Sequence, residues 1–217
     1  MQINDLVKGN KKFREARFSK YETDLKQLTK DGQNPDILFI GCSDSRVTPE
    51  LVLDTKPGDM FTLRNVGNFV PPYNPDNDYH GSSAVIEYAV NVLNVKHIIV
   101  CGHSYCGACR SLYKDLGDSS ELINIKKWLE LGKKAREYTL LAAPDKNDKE
   151  YIYRTTEKVS IVYQMENLLT FPYIVKRVKE GSLQIHGWYY KIENGTIEFY
   201  DGSDCTFKPL EEFKNES

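Results

Sequence analysis

The sequence predicts an α/β fold: a single domain with a mostly parallel central β-sheet flanked by helices, plus an N-terminal helical arm. Three observations carry this expectation. Short, continuously apolar runs such as Ile37-Leu38-Phe39-Ile40 and Ile98-Ile99-Val100-Cys101 have the make-up of strands buried on both faces. These runs alternate with stretches of helical character. The chain has 217 residues with a hydrophobic fraction of 40 %, which suits one domain with a sizeable core.

Residues 4–30 read as one or two helices, because Leu6, Phe13, Phe18, Tyr21, Leu25 and Leu28 recur at roughly helical intervals among charges. Nothing nearby in the sequence covers that apolar face. Residues 1–30 are therefore expected to form an arm that packs on the body of this subunit or, as favoured here, on a partner subunit, and residues 31–217 to form the body. Asp31-Gly32 ends the arm. Ile37–Ile40 is the first strand, residues 49–54 a turn or short helix, and Met60–Leu63 the second strand. The Pro- and Gly-bearing stretch 67–81 is a loop near a site rather than a linker, since packing elements bracket it. Residues 82–94 read as a helix with Ser at its start, and His97–Cys101 as the third strand. Helices are expected over 105–116, 121–141 and 149–170, with a short one from Phe171-Pro172 to about Glu180. Leu183–Lys191 and Thr196–Tyr200 are strands joined by a turn at Glu193-Asn194-Gly195.

Composition excludes several function classes. The net charge of -2 argues against a broad basic face for nucleic acid. No apolar run approaches the ~20 residues needed to span a bilayer. The first eighteen residues, MQINDLVKGNKKFREARF, lack the apolar core of a secretory signal, and later acidic residues argue against a transit peptide. The expected location is cytoplasmic. No Gly-x-Gly-x-x-Gly or Walker pattern speaks for a nucleotide. Five cysteines, an odd number, do not fit a secreted disulfide scaffold, so reduced thiols are expected, some of them ligands.

Cysteine placement is the most informative feature. Cys42 follows the first strand in the string Cys42-Ser43-Asp44-Ser45-Arg46. Cys101 ends the third strand and leads into Gly102-His103-Ser104-Tyr105-Cys106-Gly107. Residues just past the carboxyl ends of strands in such a sheet converge on one crevice, so Cys42, Asp44, His103 and Cys106 can meet. Two thiolates and an imidazole suit Zn²⁺. Water as the fourth ligand makes a catalytic site, whereas Asp44 makes a closed one. A structural zinc or a redox cysteine are the alternatives that residue types and spacing leave open.

At this point the sequence resembles a beta-class carbonic anhydrase, and the resemblance covers nearly the whole chain. It rests on Cys42-Ser43-Asp44-Ser45-Arg46, Arg64-Asn65-Val66-Gly67-Asn68, Glu87-Tyr88-Ala89-Val90, Gly102-His103-Ser104 followed by Cys106-Gly107, and His186-Gly187-Trp188, all in order. The resemblance implies a zinc lyase, a carbonate dehydratase with one Zn²⁺ per chain. It would hydrate CO2 reversibly to bicarbonate and a proton by means of hydroxide generated at zinc. It implies Cys42, His103 and Cys106 as metal ligands and Asp44 and Arg46 as a catalytic pair, with Asp44 on the metal only in a closed state.

The plant-like branch of the family adds Gln33 as a catalytic residue, reaching in from the other subunit of a dimer. Phe61, Val66, Tyr88 and the backbone of Gly102 would line the CO2 pocket. A second bicarbonate pocket known in some members needs a Trp where this chain has Phe39, so an open site with water as fourth ligand is expected. The expected partners are CO2 or bicarbonate and further copies of the chain, with the dimer as basic unit and a tetramer or octamer possible. Rival readings are a zinc-stabilised binding protein, an enzyme acting on COS or CS2, and a redox protein using Cys101, Cys106 and Cys109.

Overall fold

The computed structural model describes residues 1–76, 78–117 and 120–214. A six-stranded sheet is built from β1 (Ile37–Cys42), β2 (Met60–Asn65), β3 (His97–His103), β4 (Gln184–Tyr190), β5 (Ile197–Asp201) and β6 (Thr206–Pro209), in the order β2-β1-β3-β4-β5-β6. β2, β1, β3 and β4 run parallel. β5 and β6 return antiparallel, β5 through the hairpin expected at Glu193-Asn194-Gly195. The sheet is thus largely parallel, as expected. β6 is a short edge strand that sequence reading missed, because it ends on Pro209 and spans only four residues.

Strand alternation sorts the side chains into two layers. Leu38, Ile40, Ile98 and Val100 face the main core, where they meet Ile86, Val90, Ile161, Leu168, Phe171 and Ile174 from the helices. Phe39, Ile99 and Cys101 face the other side, beside Ile37, Met60, Trp188 and Tyr190. The helices around the sheet are α3 (Pro49–Val52), α4 (Gly81–Glu87), α5 (Gly107–Ser111), α6 (Ile123–Leu129), α7 (Lys133–Ala142), α8 (Lys149–Leu168) and α9 (Pro172–Lys179). The 20-residue α8 lies close across β3 and β4. A Cβ at Gly102 would come within 2.7 Å of Ile161, and one at Gly187 within 2.5 Å of the Met165 sulfur. Two glycines therefore set that approach.

Three predicted helices change shape. The stretch 105–116 is helical only over Gly107–Ser111, and the stretch 82–94 continues past α4 as a wider turn over Tyr88–Val92. The helix expected over 121–141 splits into α6 and α7 around a 3₁₀ turn at Glu130–Gly132. Gly132 packs so closely that a Cβ there would meet Leu112 and the Phe69 ring at 2.8 and 3.0 Å. The N-terminal segment forms α1 (Ile3–Ala16) and α2 (Glu22–Asp31). Neither buries a residue completely, and Ile3, Leu6 and Val7 of α1 are exposed.

Candidate metal centre

Strand order dictates where the site lies. The chain leaves β1 toward β2 on one side and returns to β3 on the other, so the sheet's topological switch falls between β1 and β3. Crevices open at the carboxyl ends of such strand pairs. Cys42 is the last residue of β1 and His103 the last of β3. Three residues later Cys106 starts the turn into α5. The ligand atoms of Cys42, His103 and Cys106 lie within 4.8 Å of one another, and all three residues are buried. Among the described residues no other group of three or more His, Cys, Asp or Glu side chains comes together in this way.

The imidazole is prepared for a metal. His103 Nδ1 donates to the Ser104 carbonyl at 2.8 Å, which leaves Nε2 as the unprotonated nitrogen. That Nε2 is buried without a hydrogen-bond partner. The thiols also need a cation. The Cys106 thiol beside it, together with burial, pushes the Cys42 thiol up to about 12. Backbone N–H groups of Asp44 and Gly67 both point at the Cys42 sulfur, at 3.4 Å each. An orphaned imidazole nitrogen facing two crowded sulfurs fits zinc, a borderline-soft ion that takes S and N donors tetrahedrally.

Asp44 is not part of the ligand cluster. Its Oδ1 accepts from the Arg46 amide at 3.0 Å and from Arg46 Nε at 2.9 Å, and its Oδ2 accepts from Arg46 Nη2 at 2.8 Å. Arg46 holds this carboxyl well below the usual carboxylate range, so it is ionised at neutral pH. The same Nη2 donates to the Tyr105 carbonyl at 3.0 Å. Arg64 clamps the strand end from the other side, donating to the carbonyls of Cys42 at 2.9 Å and of Asp44 at 2.8 Å.

The remaining predicted residues fall into two groups. Phe61 of β2 stacks on Tyr88, ring centroids 5.7 Å apart, and Val66 and Tyr88 are more than two-fifths exposed. Gly102 precedes His103, and its closest neighbour on the helix side is Ile161. Gln33 is exposed in the segment before β1 and makes no hydrogen bond among the described residues. It sits beyond the amino end of β1 while Cys42 sits at the carboxyl end, and that strand alone spans about 16 Å.

Sequence reading missed Arg154 and Glu157 on α8. Glu157 is 2 % exposed and accepts from the Cys106 amide at 2.9 Å and from the Tyr189 hydroxyl at 2.8 Å. Burial raises its carboxyl to about 7 despite those donors and Arg154. In sequence the two residues look like an ordinary i, i+3 ion pair on a solvated helix face.

The carbonic anhydrase family model matches residues 37–197. A carbonic anhydrase of Synechocystis sp. is 41 % identical over 197 residues, covering 91 % of this chain and 70 % of the relative. One from Pseudomonas aeruginosa is 36 % identical, covering 97 % of this chain and 93 % of the relative. Among solved structures, the beta-carbonic anhydrase CcaA superposes with a TM-score of 0.88 at 39 % identity, over 95 % of this chain and 98 % of that one. A Coccomyxa beta-carbonic anhydrase bound to acetazolamide superposes with a TM-score of 0.78 at 26 % identity, over 91 % and 86 %.

Proposed function

The chain belongs to the carbonic anhydrases, in their beta class, and from that premise we propose how its residues divide the work. The reaction is the reversible hydration of CO2 to bicarbonate and a proton. The observation that carries this reading is the buried Cys42–His103–Cys106 cluster with its orphaned imidazole nitrogen. Zinc bound there lowers the pKa of water so that hydroxide is available near neutral pH.

Asp44 orients the nucleophile. As an ionised carboxylate it can only accept hydrogen bonds. Arg46 already fills two acceptor positions on Oδ1 and one on Oδ2. One lone pair of Oδ2 is left to accept a hydrogen bond from the oxygen nucleophile that bound zinc would supply, and that bond would orient the nucleophile toward CO2. Arg46 also keeps the carboxylate turned away from the ligand atoms. Val66 and the Gly102 backbone border the cluster, whereas Phe61, opposite Leu38 near the amino end of β1, would with the Tyr88 ring stacked on it offer an apolar wall to CO2 in the site of a partner copy.

We further propose that Gln33 serves the site of a partner copy, because its own site lies at the far end of β1. The arm supports a dimer as the basic unit. The apolar residues Ile3, Leu6 and Val7 of α1 are exposed, and the sheet face of Ile37, Ile99 and Trp188 carries a buried indole N–H with no partner. An amphipathic helix from a second copy fits that face. Membership of the plant-like branch is supported by Gln33, by the open Asp44–Arg46 pair, and by Phe39. The cavity beside Phe39 holds only about 10 Å³, too little for bicarbonate. Five free cysteines, one of them exposed, favour the reducing cytoplasm. Among the described residues no helix is long and apolar enough to cross a membrane.

Purified protein should hold one zinc per chain and accelerate CO2 hydration in a stopped-flow indicator assay. Full zinc content with no hydration between pH 7 and 9 would refute the reading. Gln33→Ala should cut turnover and leave zinc in place.

A further inference from the structure

The turn that presents Cys106 is held by groups that touch neither metal nor substrate. Tyr105 occupies the left-handed region at φ +58°, which costs an L-residue about 1–2 kcal/mol. Something must hold this turn, because its geometry sets two functional atoms. One is the Cys106 sulfur. The other is the Tyr105 carbonyl, which receives Arg46 Nη2.

Contacts converge on the turn from α8 and β4. Glu157 Oε1 accepts the Cys106 amide at 2.9 Å. Glu157 Oε2 is fixed by the Tyr189 hydroxyl of β4 at 2.8 Å. Arg154 pairs with Glu157 Oε1 at 3.0 Å, and its guanidinium lies 4.0 Å from the centroid of the Tyr105 ring. Its nitrogens are buried and make no directed hydrogen bond. The Glu157 carboxylate, the Glu150 carboxylate 3.3 Å from its Nε and the Tyr105 ring hold that cation. One connected unit grips the strained residue by its ring and the next residue by its amide.

We propose that Glu157 is a positioning residue of the metal centre, acting through Cys106. Its carboxylate, fixed by Tyr189 and paired with Arg154, locks the left-handed turn that aims the Cys106 sulfur at the ion and the Tyr105 carbonyl at Arg46. The inference rests on the zinc reading of the Cys42–His103–Cys106 cluster. A wild-type protein that binds neither zinc nor cobalt defeats that reading. Normal metal binding with unaltered variants defeats only this one.

The test uses the full chain reconstituted with Co²⁺, whose thiolate-to-cobalt charge-transfer bands report ligand geometry, together with the rate of Zn²⁺ loss to a chelator. Glu157→Ala is expected to shift the bands and speed metal loss about 10–100-fold, the usual cost of losing a group that orients a ligand. Glu157→Gln still offers an oxygen to the Cys106 amide and should return both readouts toward wild type. Tyr189→Phe, which removes only the hydroxyl, should fall between. A Glu157→Ala protein with wild-type bands and wild-type metal loss overturns the proposal. So does a Glu157→Gln protein as impaired as the alanine variant, since charge burial rather than amide anchoring would then be at work. If Glu157→Ala does not fold, Tyr189→Phe decides, and unchanged bands and rate in that variant overturn the proposal.

Discussion

Replacing Arg46 with Gln tests the proposed division of labour most directly. The side chain gives Asp44 two charge-assisted contacts, at 2.9 and 2.8 Å, and gives the Tyr105 carbonyl a third at 3.0 Å. The Arg46 amide still donates to Oδ1 in any variant. Asp44 is mostly shielded, but the Arg46 side chain is 48 % exposed. Removing one partner of a fully buried pair costs about 3–5 kcal/mol, and an exposed pair is worth about 0–1. A half-exposed bidentate pair falls between, at about 1–2 kcal/mol. At 1.4 kcal/mol per factor of ten, kcat/KM should fall about 5–30-fold. Arg46 depresses the Asp44 pKa, so its removal lets that pKa rise toward the ordinary carboxylate range. Asp44 nonetheless stays ionised at pH 7–9. The loss comes from misdirection of the carboxylate, and raising the pH must not restore Asp44 by deprotonating it. Stopped-flow hydration across pH 7–9 with zinc content measured in parallel checks this. Activity within twofold of wild type at full zinc loading would show that Arg46 neither orients nor restrains Asp44.

Three other predictions concern assembly, packing and pH. If Gln33 acts across a subunit boundary, mixing Gln33→Ala chains with His103→Ala chains should raise activity above that of either homodimer, because one mixed site keeps its metal ligands and receives an intact Gln33. No complementation on mixing, with mixed dimers verified by mass, would refute a contribution in trans. Gly102→Ala forces a Cβ to within 2.7 Å of Ile161, so overpacking should cost about 1–3 kcal/mol, visible as a lower melting temperature. Ile161→Val in the Gly102→Ala background removes Cδ1, one of the two clashing atoms, and should recover part of that loss. His186 is half-buried against His97 at 3.2 Å, and burial, with the His97 charge, lowers its pKa to about 4. The unfolded chain therefore takes up this proton first. The associated stability is present above about pH 6.5 and is lost as pH falls toward 4. Discounted for partial exposure, the loss at pH 5 is about 1–2 kcal/mol, or a few degrees in melting temperature. In His186→Gln the drop in melting temperature between pH 7.5 and 5 should be smaller by that amount, and an undiminished drop would exclude His186 as its source.

The parts of the fold legible in the sequence are those set by local composition. Apolar runs marked β1 and β3, and the ligands stand at their carboxyl ends because a parallel sheet exposes chemistry there. What escaped was set by contacts distant in sequence. The helix break at Gly132 depends on Leu112 and Phe69, which no window around residue 132 contains. The run 105–116 has helical composition. It begins as a left-handed residue and an extended one because the strand end and the metal ligands fix its start. β3 also runs two residues further than composition suggests, since pairing of Gly102 and His103 with Tyr189 and Tyr190 extends the ladder to the ligand itself.

Glu157 illustrates the same limit at the site. Glu-x-x-x-Arg and Arg-x-x-Glu spacings are common on solvated helices, and Glu150, Arg154 and Glu157 form such a run on α8. Nothing local distinguishes the carboxylate that is 2 % exposed from the one that is solvated. The difference lies in where α8 rests. Gly102 and Gly187 let Ile161 sink onto β3 and β4, and Glu157, one turn earlier on the same helix, is carried down to the Cys106 amide. The two glycines and the buried acid are consequences of one close helix–sheet contact. A Cβ at Gly102 should therefore disturb the metal centre as well as the core, because lifting α8 off β3 also lifts Glu157 away from Cys106. Cobalt spectra of Gly102→Ala then separate the two cases. A lowered melting temperature with shifted charge-transfer bands means that helix packing and ligand geometry are coupled through Glu157. A lowered melting temperature with unchanged bands means that the turn at Tyr105 holds its shape without the helix beneath it.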